Sequence, residues 1–299
     1  MDETLMTQQK ELDSIENHEL ISEYQGHLPC FDRVEPVIYS SENADVYMFG
    51  KPKNWKDDFY NHTQVIELLM KNNISKIYFP NISSFTGEIC DEDDFNQSFK
   101  IPKYGLEVFY HKKTEGLVIP KNSAAFLCTA DCPVIICKDK VDDLLIVAHA
   151  GLGSVVDKTM ILNGHRSRFY KSVVDSIIDY LDENDNETCD CEIIIAGGIS
   201  HKSFIYSPQD PVFGESNKKL LEFIIYNYGE NTVPLGIDHG AISIQNIIKQ
   251  QLNGWGVNFR DIRVDGIDTF TDSRFWSHTE FVQKRCSVDG RNGVMVIHK

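Results

Sequence analysis

Between residues 123 and 150 three apolar runs follow one another closely: SAAFLCTA, PVIICKD and DLLIVAHA. Runs this short and this apolar predict strands rather than helices. Upstream, NHTQVIELLMKNN (61–73) carries apolar residues at helical spacing, and ISKIYF (74–79) then predicts a strand. The polar stretch TGEICDEDDFNQSFKIPKYG (86–105) predicts a surface loop or insertion. Downstream, YKSVVDSIIDYL predicts an amphipathic helix and CEIIIAGG a buried strand ending in glycines. Residues 215–228 and 241–253 predict further helices, while VNFRDIRVDG and VMVIHK predict late strands. Helices and strands alternate irregularly, with several strands in succession. That pattern predicts an α/β fold tending to α+β, with layered mixed sheets flanked by helices, rather than a regular Rossmann repeat. No repeat or linker interrupts it, so residues 45–299 are expected to form one domain. Residues 1–44 read as a polar, acidic extension whose segment TQQKELDSIENHELISEYQ predicts a helix.

Composition narrows the function classes. A formal charge of −16 argues against DNA or an anionic membrane as partner, because phosphates are repelled. Three acidic runs, Asp2–Glu23, Asp91–Asp94 and Asp182–Asp190, read as solvated faces. No apolar run approaches the roughly 18 residues that span a bilayer. The N-terminus is the opposite of a signal peptide, so a cytoplasmic location is expected. Among the eight cysteines, Cys128, Cys132 and Cys137 lie in or beside apolar runs, where a reduced thiol packs as a small hydrophobe. The pair Cys189 and Cys191 has no CxxC partner, and in a strand the two would face opposite ways.

Candidate chemistry gathers at strand ends. Cys132 and His149 stand 17 residues apart, a spacing that fits two adjacent strands joined by a turn. A thiolate and a neutral imidazole suit zinc, but two packing residues would fit the same spacing. Asp131 supplies a carboxylate for proton transfer or for anchoring a ligand. The Ala-Gly after His149 removes side-chain bulk, so that a ligand or a turn can approach. GRNG (290–293) sets Arg291 between glycines as an anion clamp or a solvent-facing turn, and GGIS (197–200) is a phosphate-facing turn or a plain one. GxGxxG, Walker loops and a serine nucleophile elbow are absent.

The blocks TADCPVII, VAHAGLGS, AGGIS, LGIDHGAISIQNIIKQQLNGWGV, DTFTDSRFWSH and GRNGVMVI occur in the order seen in laccase-domain proteins. Over roughly residues 45–299 the chain resembles that family, labelled multicopper polyphenol oxidases and associated with phosphorolysis and deamination of purine nucleosides. The resemblance implies a laccase-domain-like fold and a metal held by two histidines and a cysteine. Zinc is the implied ion and copper the lesser alternative. The cysteine falls on Cys132 and one histidine on His149. Asp131 is implied in catalysis, Thr129, Gly151 and Arg291 in binding substrate, and a purine nucleoside and phosphate as partners. The laccase label itself gains little, because the ten histidines form no H-x-H cluster.

Several positions depart from the family pattern. Asn81 and Ser83 stand where Gln and the first histidine are expected, and the nearest histidines are His62 and His111. Leu152 and Gly153 replace an aromatic residue and a cation, and Gly198 replaces a proline. Thr279 replaces an arginine, while Arg291 is kept. Three readings follow. The first is a metal-dependent purine nucleoside enzyme. The second is a non-catalytic relative binding a nucleoside or a protein. The third is a metal-free hydrolase using Cys132 and His149.

Overall fold

The structure, a computed structural model, describes residues 37–56, 62–82, 87–141, 143–163, 170–184 and 190–299. The helix expected within the N-terminal extension lies outside these residues. One mixed sheet has the order β1 (Val37–Ser40), β2 (Ala44–Phe49), β13 (Asn292–His298), β8 (Ser123–Thr129), β3 (Lys76–Ile82), β6 (Leu106–Thr114) and β5 (Ser98–Ile101). The other has the order β12 (Ile262–Val264), β11 (Cys191–Ala196), β9 (Val134–Asp139), β10 (Leu145–His149), β7 (Gly116–Val118) and β4 (Ile89–Cys90). β1 lies ahead of residue 45 and pairs antiparallel with β2.

Strand alternation sorts the side chains into three apolar clusters, and these define four layers. Val294 and Val296 of β13 face Val134, Ile136 and Val147 of the second sheet. Met295 and Ile297, on the opposite face of β13, pack with Val65 and Leu69 of α1 (Thr63–Lys71). Ile135, Cys137, Ile146 and Ile193 point outward from the second sheet. They meet Val174 and Ile177 of α4 (Val173–Glu183), Leu221 of α5 (Gly214–Tyr228) and Ile247 of α6 (Ile244–Gly254). Each such side chain contributes on the order of 1.5–3 kcal/mol when fully buried. The central strands read as unbroken apolar runs because both their faces are covered. α4 starts where Ser172 accepts the amide of Val174, and its buried Val174, Ile177, Ile178 and Leu181 follow helical spacing.

The expectation of a loop over 86–105 is corrected. β4 pairs with β7 and β5 with β6 inside this stretch. Its polar composition conceals two anchors, Cys90 and Phe95, buried in the cluster between the sheets. Asp91 to Asp94 stay exposed, as expected of an acidic run. VNFRDIRVDG yields only the short β12, parallel to β11.

Two crossings between the sheets prepare the site. β6 passes into β7 through Glu115, and β8 passes into β9 through Ala130, Asp131, Cys132 and Pro133. Within the second sheet, His149 at the end of β10 sits opposite Val134 at the start of β9.

Candidate functional site

His149 is fixed from two directions. Its amide donates to the Glu115 carbonyl at 2.8 Å, and its Nδ1 donates to Glu115 Oε2 at 2.9 Å. Ser154 Oγ donates to the same carboxylate oxygen at 3.0 Å. The Glu115 side chain has no exposed surface, and its Oε1 has no hydrogen-bond partner among the described residues. The Cys132 side chain lies near enough to the ring to interact with it electrostatically. Burial disfavours the imidazolium, but the charge of Cys132 and the hydrogen bond and charge of Glu115 act the other way and raise its pKa to about 10. Gly151 lies against both groups. A Cβ there would stand 3.0 Å from Cys132 Sγ and 3.1 Å from His149 Cε1.

The other candidates are placed as follows. Thr129 Oγ1 donates to the Cys132 carbonyl at 2.5 Å, closing the TADC turn on itself. Asp131 accepts Thr269 Oγ1 at 2.9 Å, and both the amide and the hydroxyl of Thr279 at 2.7 Å. Its carboxylate therefore braces two distant segments through three hydrogen bonds. The threonine that replaces the family's arginine is one of its donors. Arg291 Nη1 and Nη2 bind the two Asp289 oxygens at 2.6 and 3.1 Å, and His278 Nδ1 reaches the same carboxylate at 3.0 Å. The guanidinium is thus neutralised within its own loop. Gly290 of that loop packs against the face of Trp276, where a side chain would collide with the indole.

The GGIS turn is committed internally. The amide of Gly197 donates to Asp265, that of Ile199 to the Asp131 carbonyl, and that of Ser200 to Asp268. Carboxylates occupy the place a phosphate would need. A separate cavity of about 370 Å³, lined by Lys158, Tyr206, Asp210, Phe213 and Leu220 among others, shares no residue with the Cys132–His149 pair.

The donor types fit a metal. A thiol and an imidazole nitrogen both lie against one glycine, and a buried carboxylate holds the other ring nitrogen, as behind metal-binding histidines. Among the described residues no group of three His, Cys, Asp or Glu side chains completes a set. Asn81 is exposed on β3, and Ser83 lies outside the described residues. His62 packs its ring against Trp55, with centroids 4.5 Å apart, and His111 lies on β6.

Sequence reasoning missed Glu115 and Asn292. Glu115 is an acidic residue opening the apolar run GLVI, an unusual place for a charge, and that was its available signal. Asn292 is fully buried. It accepts the Trp276 amide and donates to the Ala130 and Trp276 carbonyls, tying the TADC turn to the segment before α7 (His278–Val282).

Two facing mixed sheets with helices outside, and a thiol–imidazole pair at their crossings, define a laccase-domain architecture. Solved structures share the fold. Bacillus licheniformis hypothetical protein YfiH is similar with a TM-score of 0.58 and 18% identity, over 91% of this chain and 100% of that one. Geobacillus stearothermophilus YlmD gives 0.55 and 14%, over 88% and 99%. Neisseria meningitidis NMB0706, of family DUF152, gives 0.55 and 12%, also over 88% and 99%. No curated protein matches the chain by sequence. The chain belongs to the family described as multi-copper polyphenol oxidoreductase laccase, whose pattern matches residues 107–299. That span contains Glu115, Cys132, His149 and Arg291. No helix among the described residues is long and apolar enough to cross a membrane.

Proposed function

We propose that the protein is a metal-dependent enzyme of purine nucleosides, acting by phosphorolysis, by deamination of adenosine, or by both. One observation carries this reading: Glu115 holds Nδ1 of His149, and Gly151 lies against both the His149 ring and the Cys132 thiol. Cys132 and His149 would hold the ion, zinc in preference to copper, since thiolate and imidazole suit zinc. When bound, such an ion supplies Lewis acidity toward water or a substrate oxygen.

The chain's own residues supply the rest. Glu115 and Ser154 keep the imidazole from turning. Thr129 and Asp131 hold the loop that carries the thiol, Thr129 through the Cys132 carbonyl and Asp131 through Thr269 and Thr279. Gly151 lacks the side chain that would crowd the Cys132 thiol and the His149 ring.

A second reading, a catalytically diminished relative that binds a nucleoside or a protein, is favoured by one specific contact. Arg291, the cation expected to meet phosphate, is already paired with Asp289.

Turnover of adenosine and inosine, with and without phosphate, tests the choice in the wild type and in Cys132→Ala. Release of ammonia, or of free base only when phosphate is present, is expected from the wild type and not from the variant. An intact fold with no turnover in either protein rejects the enzyme reading and leaves the binding one.

A further inference from the structure

We infer that Glu115 is a positioning residue for a metal at Cys132 and His149: it fixes the imidazole and strengthens it as a ligand. This inference rests on the metal reading above and deepens it.

Glu115 is an expensive residue to place where it is. Burying an uncompensated carboxylate costs several kcal/mol or more. Among the described residues no lysine or arginine pairs with it. Its Oε2 is used twice, by His149 Nδ1 and by Ser154 Oγ, while its Oε1 is buried without a donor. The compensation is therefore directed at the ring of His149. Its place is also set by the main chain. The Glu115 amide donates to the Glu88 carbonyl at 3.0 Å, and the Glu115 carbonyl receives the His149 amide. Residue 115 thus cannot drift from residue 149 without breaking the pairing of β7 with β10. A carboxylate so placed directs the Nδ1 proton to itself and leaves Nε2 for a ligand. It also makes the imidazole a better electron donor. Removing a partner of this kind weakens metal binding about 10–100-fold.

The competing explanation is a plain buried ion pair that stabilises the fold and has no bearing on a ligand. Zinc affinity separates the two. It is measured by competition with a chromophoric chelator in the wild type, Glu115→Gln, Glu115→Asp, Ser154→Ala and Cys132→Ala, with thermal unfolding of each apoprotein in parallel. The expected result is zinc uptake by the wild type that Cys132→Ala loses. Glu115→Gln should bind on the order of 10–100-fold more weakly, and Glu115→Asp should recover part of that loss. Ser154→Ala keeps the carboxylate but frees it, and should weaken binding several-fold. Should Glu115→Gln fail to fold, Ser154→Ala carries the test. A folded Glu115→Gln that binds zinc like the wild type, or in its absence an unaffected Ser154→Ala, overturns the positioning role while the metal reading stands. A wild type that takes up no zinc overturns both.

Discussion

At Gly151 the backbone has φ −68° and ψ 163°, open to any residue, so the position excludes a side chain rather than a conformation. A methyl group would press on Cys132 Sγ at 3.0 Å and on the His149 ring at 3.1 Å. Gly151→Ala is therefore expected to keep the fold while lowering both zinc affinity and kcat/KM, each by roughly tenfold. Chelator competition and steady-state kinetics would read these. Loss of one without the other would contradict a shared centre. The same closeness explains what was legible at this scale. Cys132 and His149 announce themselves by residue type and by strand-end position. Asp131 and Arg291 announce themselves equally well, yet the structure gives Asp131 three donors and pairs Arg291 with Asp289. Residue type tells what a group can bind, and only the neighbours tell what it already binds.

Among the elements, the short helix α2 (Leu152–Val155) shows how a departure from the family pattern is absorbed. All four of its residues are buried. Leu152, which stands where the family has an aromatic residue, belongs to the cluster beneath α4–α6. It is core in this protein. Leu152→Ala should destabilise by about 2–5 kcal/mol, as a cavity in close-packed surroundings does, and urea unfolding measures it. A change below about 1 kcal/mol would mean that the surrounding helices close the gap. The strands with apolar runs, β8 to β11 and β13, were readable because burial on both faces leaves no polar interruptions. β6, with LEVFYHKKT, and the anchors Cys90 and Phe95 were not. There, polar residues on one side of the chain outweigh a few apolar contacts in any local window.

Over the whole molecule the charge is negative, and many basic groups are matched by acids nearby: Lys51 with Glu280, Arg274 with Asp272, Lys121 with Asp143. Two carboxylates are held far below the ordinary value of 3.8. Asp289 is pulled to about 2 chiefly by Arg291, against its burial and with help from His278. Burial opposes ionisation of Asp143, but hydrogen bonds from Lys121 and Asn43 and the charge of His298 prevail, again to about 2. A lowered folded pKa stabilises above the unfolded value and loses that contribution as pH falls through the folded one. The urea midpoint should therefore drop between about pH 4 and pH 2, and Asp289→Asn or Asp143→Asn should flatten that limb. An unchanged limb in both variants would place the acid sensitivity elsewhere.

The sequence by itself determined the layered class, the principal buried strands and the helices that cover them, and it offered a thiol and an imidazole as candidates. Each of these follows from periodicity or residue type within a short stretch. The tertiary structure alone decided who stands behind those groups. Glu115 reaches His149 across 34 positions, and Asp131 reaches Thr269 and Thr279 across 138 and 148. The physical reason is that the chain crosses between its sheets at Glu115 and at the TADC turn. Those crossings bring residues together by the register of distant strands, which no local pattern encodes.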